Sequence, residues 1–179
     1  MGWTLELGSI EISTKKGLPK YDGSDQYLLA QAGSNQELVW DGTSNFYRAK
    51  IEGAFMKTER VSDYWVVTDK KGIKYYFGQT TASRQYDPSD STKIFKWYLD
   101  KVEDLVGNTM TMEYTKDQTQ VYPYKILYTG NSKQGLSSYA QVDFEYETRT
   151  DTTSNFTPGF EVKTAWRLKR INCLADGNA

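Results

Sequence analysis

The chain has 179 residues, 38% of them hydrophobic and 25% charged, which describes a globular chain long enough to bury a core. Its 22 basic and 23 acidic side chains leave a net charge of −1, so nothing argues electrostatically for nucleic acid or an anionic membrane, and no apolar run nears the ~20 residues of a membrane span. It contains no histidine and one cysteine, which removes Ser-His-Asp and Cys-His triads, histidine bases, the usual zinc sites and any internal disulfide.

In chain order, the first signal is Trp3, Leu5 and Leu7 alternating with Thr4 and Glu6, a period-two run that predicts a strand. This opening lacks the basic and apolar regions of a signal peptide. Entering directly in β structure, the chain is expected to be a fragment of a larger multidomain polypeptide, with the tail Asp176–Ala179 as a linker stub. Further alternations follow at Ile73, Tyr75 and Phe77, at Phe95, Trp97 and Leu99, at Met110, Met112 and Tyr114, and at Val142, Phe144 and Tyr146. Each pairs one apolar face with one wet face, the pattern of antiparallel sheets. Most of the 14 Tyr, 5 Trp and 7 Phe residues sit in such runs, where they suit a pleated, half-buried surface. Turn signals separate them: Lys16-Gly17-Leu18-Pro19, Asp22-Gly23, Asp41-Gly42, Asp69-Lys70-Lys71-Gly72, Gly107-Asn108, Gly130-Asn131 and Pro158-Gly159. Asp87 to Lys93, with Pro88, has room for a single helical turn. The expected fold is mostly β, an antiparallel sandwich or curved stacked sheets built from hairpins and meanders, in one domain over residues 1–179.

The stretch from Phe95 to Tyr114 is the most explicit. Phe95, Trp97 and Leu99 share one parity and Val102 breaks it, which predicts a bulge or a change of face. Asp104 to Asn108 then reads as a turn with Gly107 or Asn108 at positive φ, and Phe95–Leu99 is expected to pair with Thr109–Tyr114 across it. Tyr64 to Phe77 repeats the plan around Asp69 to Gly72, so aromatic strand, Asp-x-x-Gly turn, aromatic strand occurs twice. Thr148–Asn155 and Ser132–Ser138 are polar and read as exposed loops.

The chemistry left to this composition is sparse. Glu145-Tyr146-Glu147 is an E-x-E pair, which a strand places on one face, as ADP-ribosyl transfer requires. Asp143 extends the same series, as on any wet strand face, and the arginine and Ser-Thr-Ser strand of that chemistry have no good counterpart; Asp90-Ser91-Thr92 is a poor substitute. Asp100, Glu103 and Asp104 surround a turn and could offer oxygens to Ca²⁺, but their spacing fits no calcium loop, and turn carboxylates commonly bond backbone N–H groups. Cys173, in the strand-like Ile171-Asn172-Cys173-Leu174, reads as a small buried hydrophobe, and Asn155-Phe156-Thr157 as a chance sequon. The aromatics either fill a β core and its rim or form a sugar-stacking platform; Tyr75–Phe77 and Tyr122–Tyr128 are the candidate exposed aromatic surface.

Several blocks, in order, resemble one family. Gly2 to Ile10 with Gly17-Leu18-Pro19, Phe46 to Gly53, Trp97 to Asp104 with Gly107 to Met110, Tyr122 to Asn131, Phe144 to Asp151, and Arg167 to Ile171 are similar to the SpvB-like region of bacterial virulence proteins and of insecticidal Tc-toxin B components. The resemblance implies a piece of a large secreted protein that continues into β-propeller and YD (Rhs) repeats. In Tc toxins such regions help build a β shell around a toxic C-terminal segment, and SpvB proteins carry their ADP-ribosyltransferase in a separate C-terminal domain. No catalytic, cofactor-binding or metal-binding residue carries over. The expected function is therefore a non-catalytic structural module whose partners are other domains of its own polypeptide or toxin-complex subunits. The alternative is a binding module for a glycan or host receptor, and the third is an ADP-ribosyltransferase.

Overall fold

The structure, a computed structural model, describes residues 5, 7–31 and 33–175. The expected strand at Trp3–Leu7 falls mostly outside these residues, with only Leu5 and Leu7 described, both in non-strand backbone; the tail from Asp176 lies wholly outside. Thirteen strands are described: β1 (Ser9–Ile12), β2 (Tyr27–Gln31), β3 (Ser34–Asp41), β4 (Phe46–Ala49), β5 (Lys57–Val61), β6 (Tyr64–Thr68), β7 (Lys74–Phe77), β8 (Arg84–Asp87), β9 (Asp90–Glu103), β10 (Asn108–Asp117), β11 (Gln120–Asn131), β12 (Ala140–Asn155) and β13 (Val162–Ala175). All their pairings are antiparallel. No helix occurs among the described residues. The mostly-β expectation therefore holds, while the helical turn at Asp87–Lys93 is replaced by the hairpin joining β8 to β9, where Asp87 pairs with Asp90 around Pro88.

In place of a sandwich or stacked sheets, eight strands close on themselves. β1 to β7 follow one another in space, β7 pairs with β9, and β9 pairs back with β1. Closure follows from the length of β9, 14 residues. Around Lys96 and Trp97 it pairs with both β1 and β8, and from Lys101 to Glu103 with both β7 and β10. One strand thus seals the barrel and starts a second ribbon, β10 to β13, in sequence order. No short-range pattern announces such double use, since a period-two run states which face is wet but not how many neighbours line its edges.

The alternation decides what fills the barrel. Ile10, Ile12, Tyr27, Leu29, Leu38, Trp65, Val67, Phe77, Trp97 and Leu99 are buried in one cluster. Tyr27, Tyr47, Trp65 and Trp97 meet edge to face, with centroids 4.8–6.0 Å apart, the geometry aromatic quadrupoles prefer. The alternate residues face outward: Glu11 and Lys96 stand opposite each other in register and form an ion pair at 2.7 Å. Met112, Tyr114, Val121, Phe160 and Val162 continue the same core into the second ribbon.

The expected pairing of Phe95–Leu99 with β10 is shifted. Thr109, Met110 and Thr111 oppose Glu103, Val102 and Lys101, because β1 and β8 already flank the earlier half of β9. Trp97 and Met112 are buried and Met110 packs against the core, as the parity predicts. The parity break is a bulge: Phe77 opposes Leu99 and Tyr76 opposes Lys101, leaving Asp100 unpaired between them. The two Asp-x-x-Gly turns are the same turn. In each, the glycine N–H donates to the aspartate carbonyl, and the aspartate N–H to the carbonyl of the residue after the glycine. The carboxylate of Asp69 accepts from Lys71 and Ile73 N–H, that of Asp104 from Val106 and Asn108 N–H. Gly107 has φ +92° there. Ser132–Ser138 is a loop, but Thr148–Asn155 is strand: it stays exposed while pairing through Thr153–Asn155 with Val162–Thr164.

Candidate functional site

The bulge at Asp100 is the chemically distinctive point. β7 ends at Phe77, and Gly78 turns the chain away at φ +71°, its N–H donating to the Tyr98 carbonyl at 2.8 Å. A Cβ on Gly78 would lie 2.2 Å from Trp97 Cδ1, so only glycine fits. The loop then folds over the bulge. Thr80 N–H donates to Asp100 Oδ2 at 2.8 Å, and the Ser83 hydroxyl lies 2.7 Å from the same oxygen. Thr80 Oγ1 donates to Ser83 Oγ at 2.9 Å, completing a buried polar knot. Ser83 is fully buried and Asp100 is 2% exposed. Among the described residues Asp100 Oδ1 has no hydrogen-bond partner. Burial pushes the Asp100 carboxyl above its ordinary range, against the opposing pull of Ser83 and the Thr80 backbone.

This knot borders an open cleft of about 380 Å³, lined chiefly by Gln79, Thr80, Met112, Glu113, Tyr114 and Tyr124 besides Asp100. Tyr114 seals its floor by donating its hydroxyl to the Leu99 carbonyl. The Ser83 hydroxyl is engaged by Asp100 and the Thr80 hydroxyl by Ser83, so both are held inside the knot. Sequence reasoning singled out Asp100 but missed Gly78, Thr80 and Ser83. The available signal was Gly78-Gln79-Thr80-Thr81-Ala82-Ser83 itself, a small, hydroxyl-rich run between two strand patterns.

The structure parts the other expected residues. Asp100, Glu103 and Asp104 do not converge: Asp100 holds the loop, Asp104 caps its turn, and Glu103 bonds to Lys101 at 3.0 Å and to the Ser132 hydroxyl. Ser132 first, then Lys101, holds Glu103 below the usual carboxylate range. Among the described residues no group of three or more Asp, Glu or Cys side chains is placed to hold a metal. Glu145 and Glu147 lie on the outer ribbon, where Glu147 pairs with Arg167 at 2.7 Å and Glu145 accepts from Asn172 at 2.6 Å with Arg170 at 4.0 Å. They are rungs of a cross-strand charge ladder and do not line the Asp100 cleft. Cys173 is exposed rather than buried, because β13 is the outermost strand. Of the candidate aromatic surface, Phe77 is fully buried and Tyr122 nearly so, while Tyr124 and Tyr128 are exposed. Tyr122 faces inward because its hydroxyl accepts from Ala165 and Trp166 N–H, both at 3.2 Å. Among the described residues, the exposed rings of Trp40, Phe55, Tyr124, Tyr128, Tyr139 and Phe156 do not stack on one another. Asn155 accepts from Thr157 N–H at 2.8 Å in an Asx turn.

The family model described as SpvB, Salmonella virulence plasmid 65kDa B protein, matches residues 1–134. Curated relatives include the mono(ADP-ribosyl)transferase SpvB of Salmonella choleraesuis and that of Salmonella enteritidis, each 24% identical over a region covering 64% of this chain. The matched region spans about a quarter of those relatives' length, 24%. The fold is shared with the N-terminal domain of effector protein SpvB from Salmonella typhimurium, at a TM-score of 0.85 and 18% identity, covering 97% of this chain and 77% of that one. It also recurs in the Photorhabdus luminescens Tc holotoxin pore, at a TM-score of 0.80 and 17% identity, covering 98% of this chain and 11% of that one. In TcdB2-TccC3 the TM-score is 0.77 at 16% identity, with 98% and 12% covered.

Proposed function

This chain belongs to the SpvB family, and on that premise we propose that it is a non-catalytic scaffold module of a large secreted bacterial toxin-like protein. Its role is to contribute a section of a β shell that neighbouring segments complete. The observation that carries this reading is the outer ribbon. β12 and β13 run for 16 and 14 residues, and among the described residues β13 pairs with β12 alone. From Arg167 to Ala175 no residue of β13 is buried. A long strand with an open edge is a template for another strand. Arg167, Lys169 and Arg170 guard its first half, whereas Ile171-Asn172-Cys173-Leu174-Ala175 carries no charge. The partners are accordingly other domains of the same polypeptide or subunits of a toxin complex, with YD (Rhs) repeats among the segments that follow. Two further points support a non-enzymatic role. The structural match is to the N-terminal domain of SpvB, and Glu145 and Glu147 face Arg170 and Arg167 of β13 rather than the Asp100 cleft.

The test is affinity. The chain should bind the segment that follows it in its parent polypeptide, and replacing Leu174 by Lys should weaken that binding. Labelled NAD offered with candidate proteins should leave no label on them. Tight binding on a glycan array without affinity for the downstream segment would refute the scaffold reading and favour a glycan- or receptor-binding module.

A further inference from the structure

A smaller concavity of about 150 Å³ lies where β8 meets the turn between β10 and β11, lined by Arg84, Tyr86, Pro88, Lys116 and Thr119. Its walls are fixed. Gln118 and Thr119 both have positive φ, +46° and +72°, so the two-residue turn follows the right-handed twist of its strands. Gln85 Nε2 ties that turn to β8 through the Thr119 carbonyl at 3.1 Å, and Lys163 N–H holds it from β13 through the Gln118 carbonyl at 3.1 Å.

Two cations share this small space. Lys116 Nζ sits 4.0 Å from the Tyr86 ring centroid and donates to the Thr81 carbonyl at 2.6 Å. Among the described residues no carboxylate lies within ion-pair reach of it. Arg84 directs Nε to the Gly78 carbonyl at 2.6 Å, and its one ion-pair partner among the described residues is Asp63 at 3.6 Å, itself 65% exposed. Burial first, and the Arg84 charge second, pull the Lys116 ammonium down to about 8. Asp63 offsets Arg84 only from its exposed side, so the Arg84 charge still disfavours the charged form of Lys116, and an anion beside both would relieve this. The concavity is small, about 150 Å³ against the ~300 Å³ at which ordinary small-molecule sites begin, which suits a small anion.

We propose that Lys116 and Arg84, with the Tyr86 and Thr119 hydroxyls, form a site for a single phosphoryl group. A tetrahedral dianion neutralises both cations and offers acceptors in several directions, whereas a planar carboxylate leaves one charge unmatched. The apolar ring of Tyr86 and Pro88 form the side wall. The site shares no lining residue with the Asp100 cleft and does not include the E-x-E pair, and it does not depend on the scaffold role.

The experiment is a titration of the 179-residue chain with inorganic phosphate at constant ionic strength, followed by NMR of the lysine ε-methylene and ammonium signals. One lysine should shift saturably, be absent from Lys116→Met, and titrate at a higher pH when phosphate is bound, because the anion favours the charged amine. Lys116→Met should weaken binding about tenfold or more, while Lys116→Arg, which keeps the charge, should retain most of it. A soluble phosphomonoester and vesicles containing phosphatidic acid then separate the sources: binding of the first alone marks a phosphorylated peptide or metabolite, and flotation with the second marks a lipid headgroup. Shifts reproduced by chloride, or the same lysine responding in Lys116→Met, would overturn the proposal. Should Lys116→Met fail to fold, the phosphate-dependent rise in the wild-type lysine titration still decides it.

Discussion

Gly78 offers the sharpest stability test because two separable costs meet there. Its φ of +71° lies in the left-handed region, where a residue with a Cβ pays about 1–2 kcal/mol. Its Cβ would also stand 2.2 Å from Cδ1 and 2.9 Å from Cγ of Trp97. That indole cannot step aside: it is 1% exposed, donates Nε1–H to the Asp63 carbonyl at 2.7 Å, and meets Tyr27 and Trp65 edge to face. Overpacking against so fixed a ring adds about 1–3 kcal/mol, so Gly78→Ala should cost about 2–5 kcal/mol in all. Gly23 supplies the control, with φ +85° and nothing within 4 Å of a new Cβ; Gly23→Ala carries the backbone cost alone. Urea unfolding by tryptophan fluorescence measures both, with the slope checked for constancy. At ~2–4 °C per kcal/mol for a chain of this size, Gly78→Ala should also melt at least about 4 °C below wild type. If the two alanine variants unfold within ~0.5 kcal/mol of each other, the argument that Trp97 is held rigidly is wrong.

Two further outcomes follow from the same geometry. Gly107→Val should lower the melting temperature, since φ is +92° and a Cβ meets Lys133 Cγ at 2.8 Å and Asn131 Oδ1 at 3.0 Å; a cost of about 1 kcal/mol or more is expected, and an unchanged melt would remove the turn assignment. Asp100 carries a pH dependence of definite sign. Burial raises its folded pKa above the unfolded value of 3.8, so its favourable contribution is complete below that value and is lost as pH rises through the folded pKa. Asp100→Asn keeps the acceptor for Thr80 and Ser83 and removes the charge, so its stability relative to wild type should improve from pH 4 to pH 7. Urea midpoints at the two pH values check this, and a difference that is flat or reversed contradicts the buried-carboxylate assignment.

The parts of the fold visible in the sequence are those governed by neighbours along the chain. Trp97, Met112, Phe144 and Phe77 are buried where period-two parity places them, and Asp69 and Asp104 build their turns from residues within four positions. The bulge was legible as a broken parity at Val102, although the unpaired residue is Asp100. Closure was not legible, because it depends on Ser9–Glu11 meeting Lys96–Tyr98 more than 80 positions away. Thr148–Asn155 misled for the opposite reason: a largely exposed strand has the composition of a loop, and its pairing with β13, at Trp166 and at Val162–Thr164, makes it a strand. At the candidate sites, Asp100 stood out as a carboxylate, but Lys116 and Arg84 looked like two more charges among 22. Their proximity arises from β8 packing across the β10–β11 turn, a contact no spacing along the chain encodes.

The same double use of β9 explains how one chain can be closed at one side and open at the other. Eight strands complete one another's backbone pairing around the barrel, where an aromatic cluster and a glycine held against Trp97 leave little tolerance for change. The second ribbon begins only because Lys101–Glu103 can pair with β7 and β10 together, and it ends at β13. Asp100 sits at that branch point, where its bulge frees it from the β7–β9 ladder and its carboxylate fixes the loop that leads to β8. A module built this way can change its outer ribbon to suit a neighbouring segment without disturbing the barrel. Variation should therefore be tolerated from Arg167 to Ala175 and resisted at Gly78, Ser83, Trp97 and Asp100, and a substitution scan of folded yield across both sets would separate a fold of this design from a uniformly packed domain.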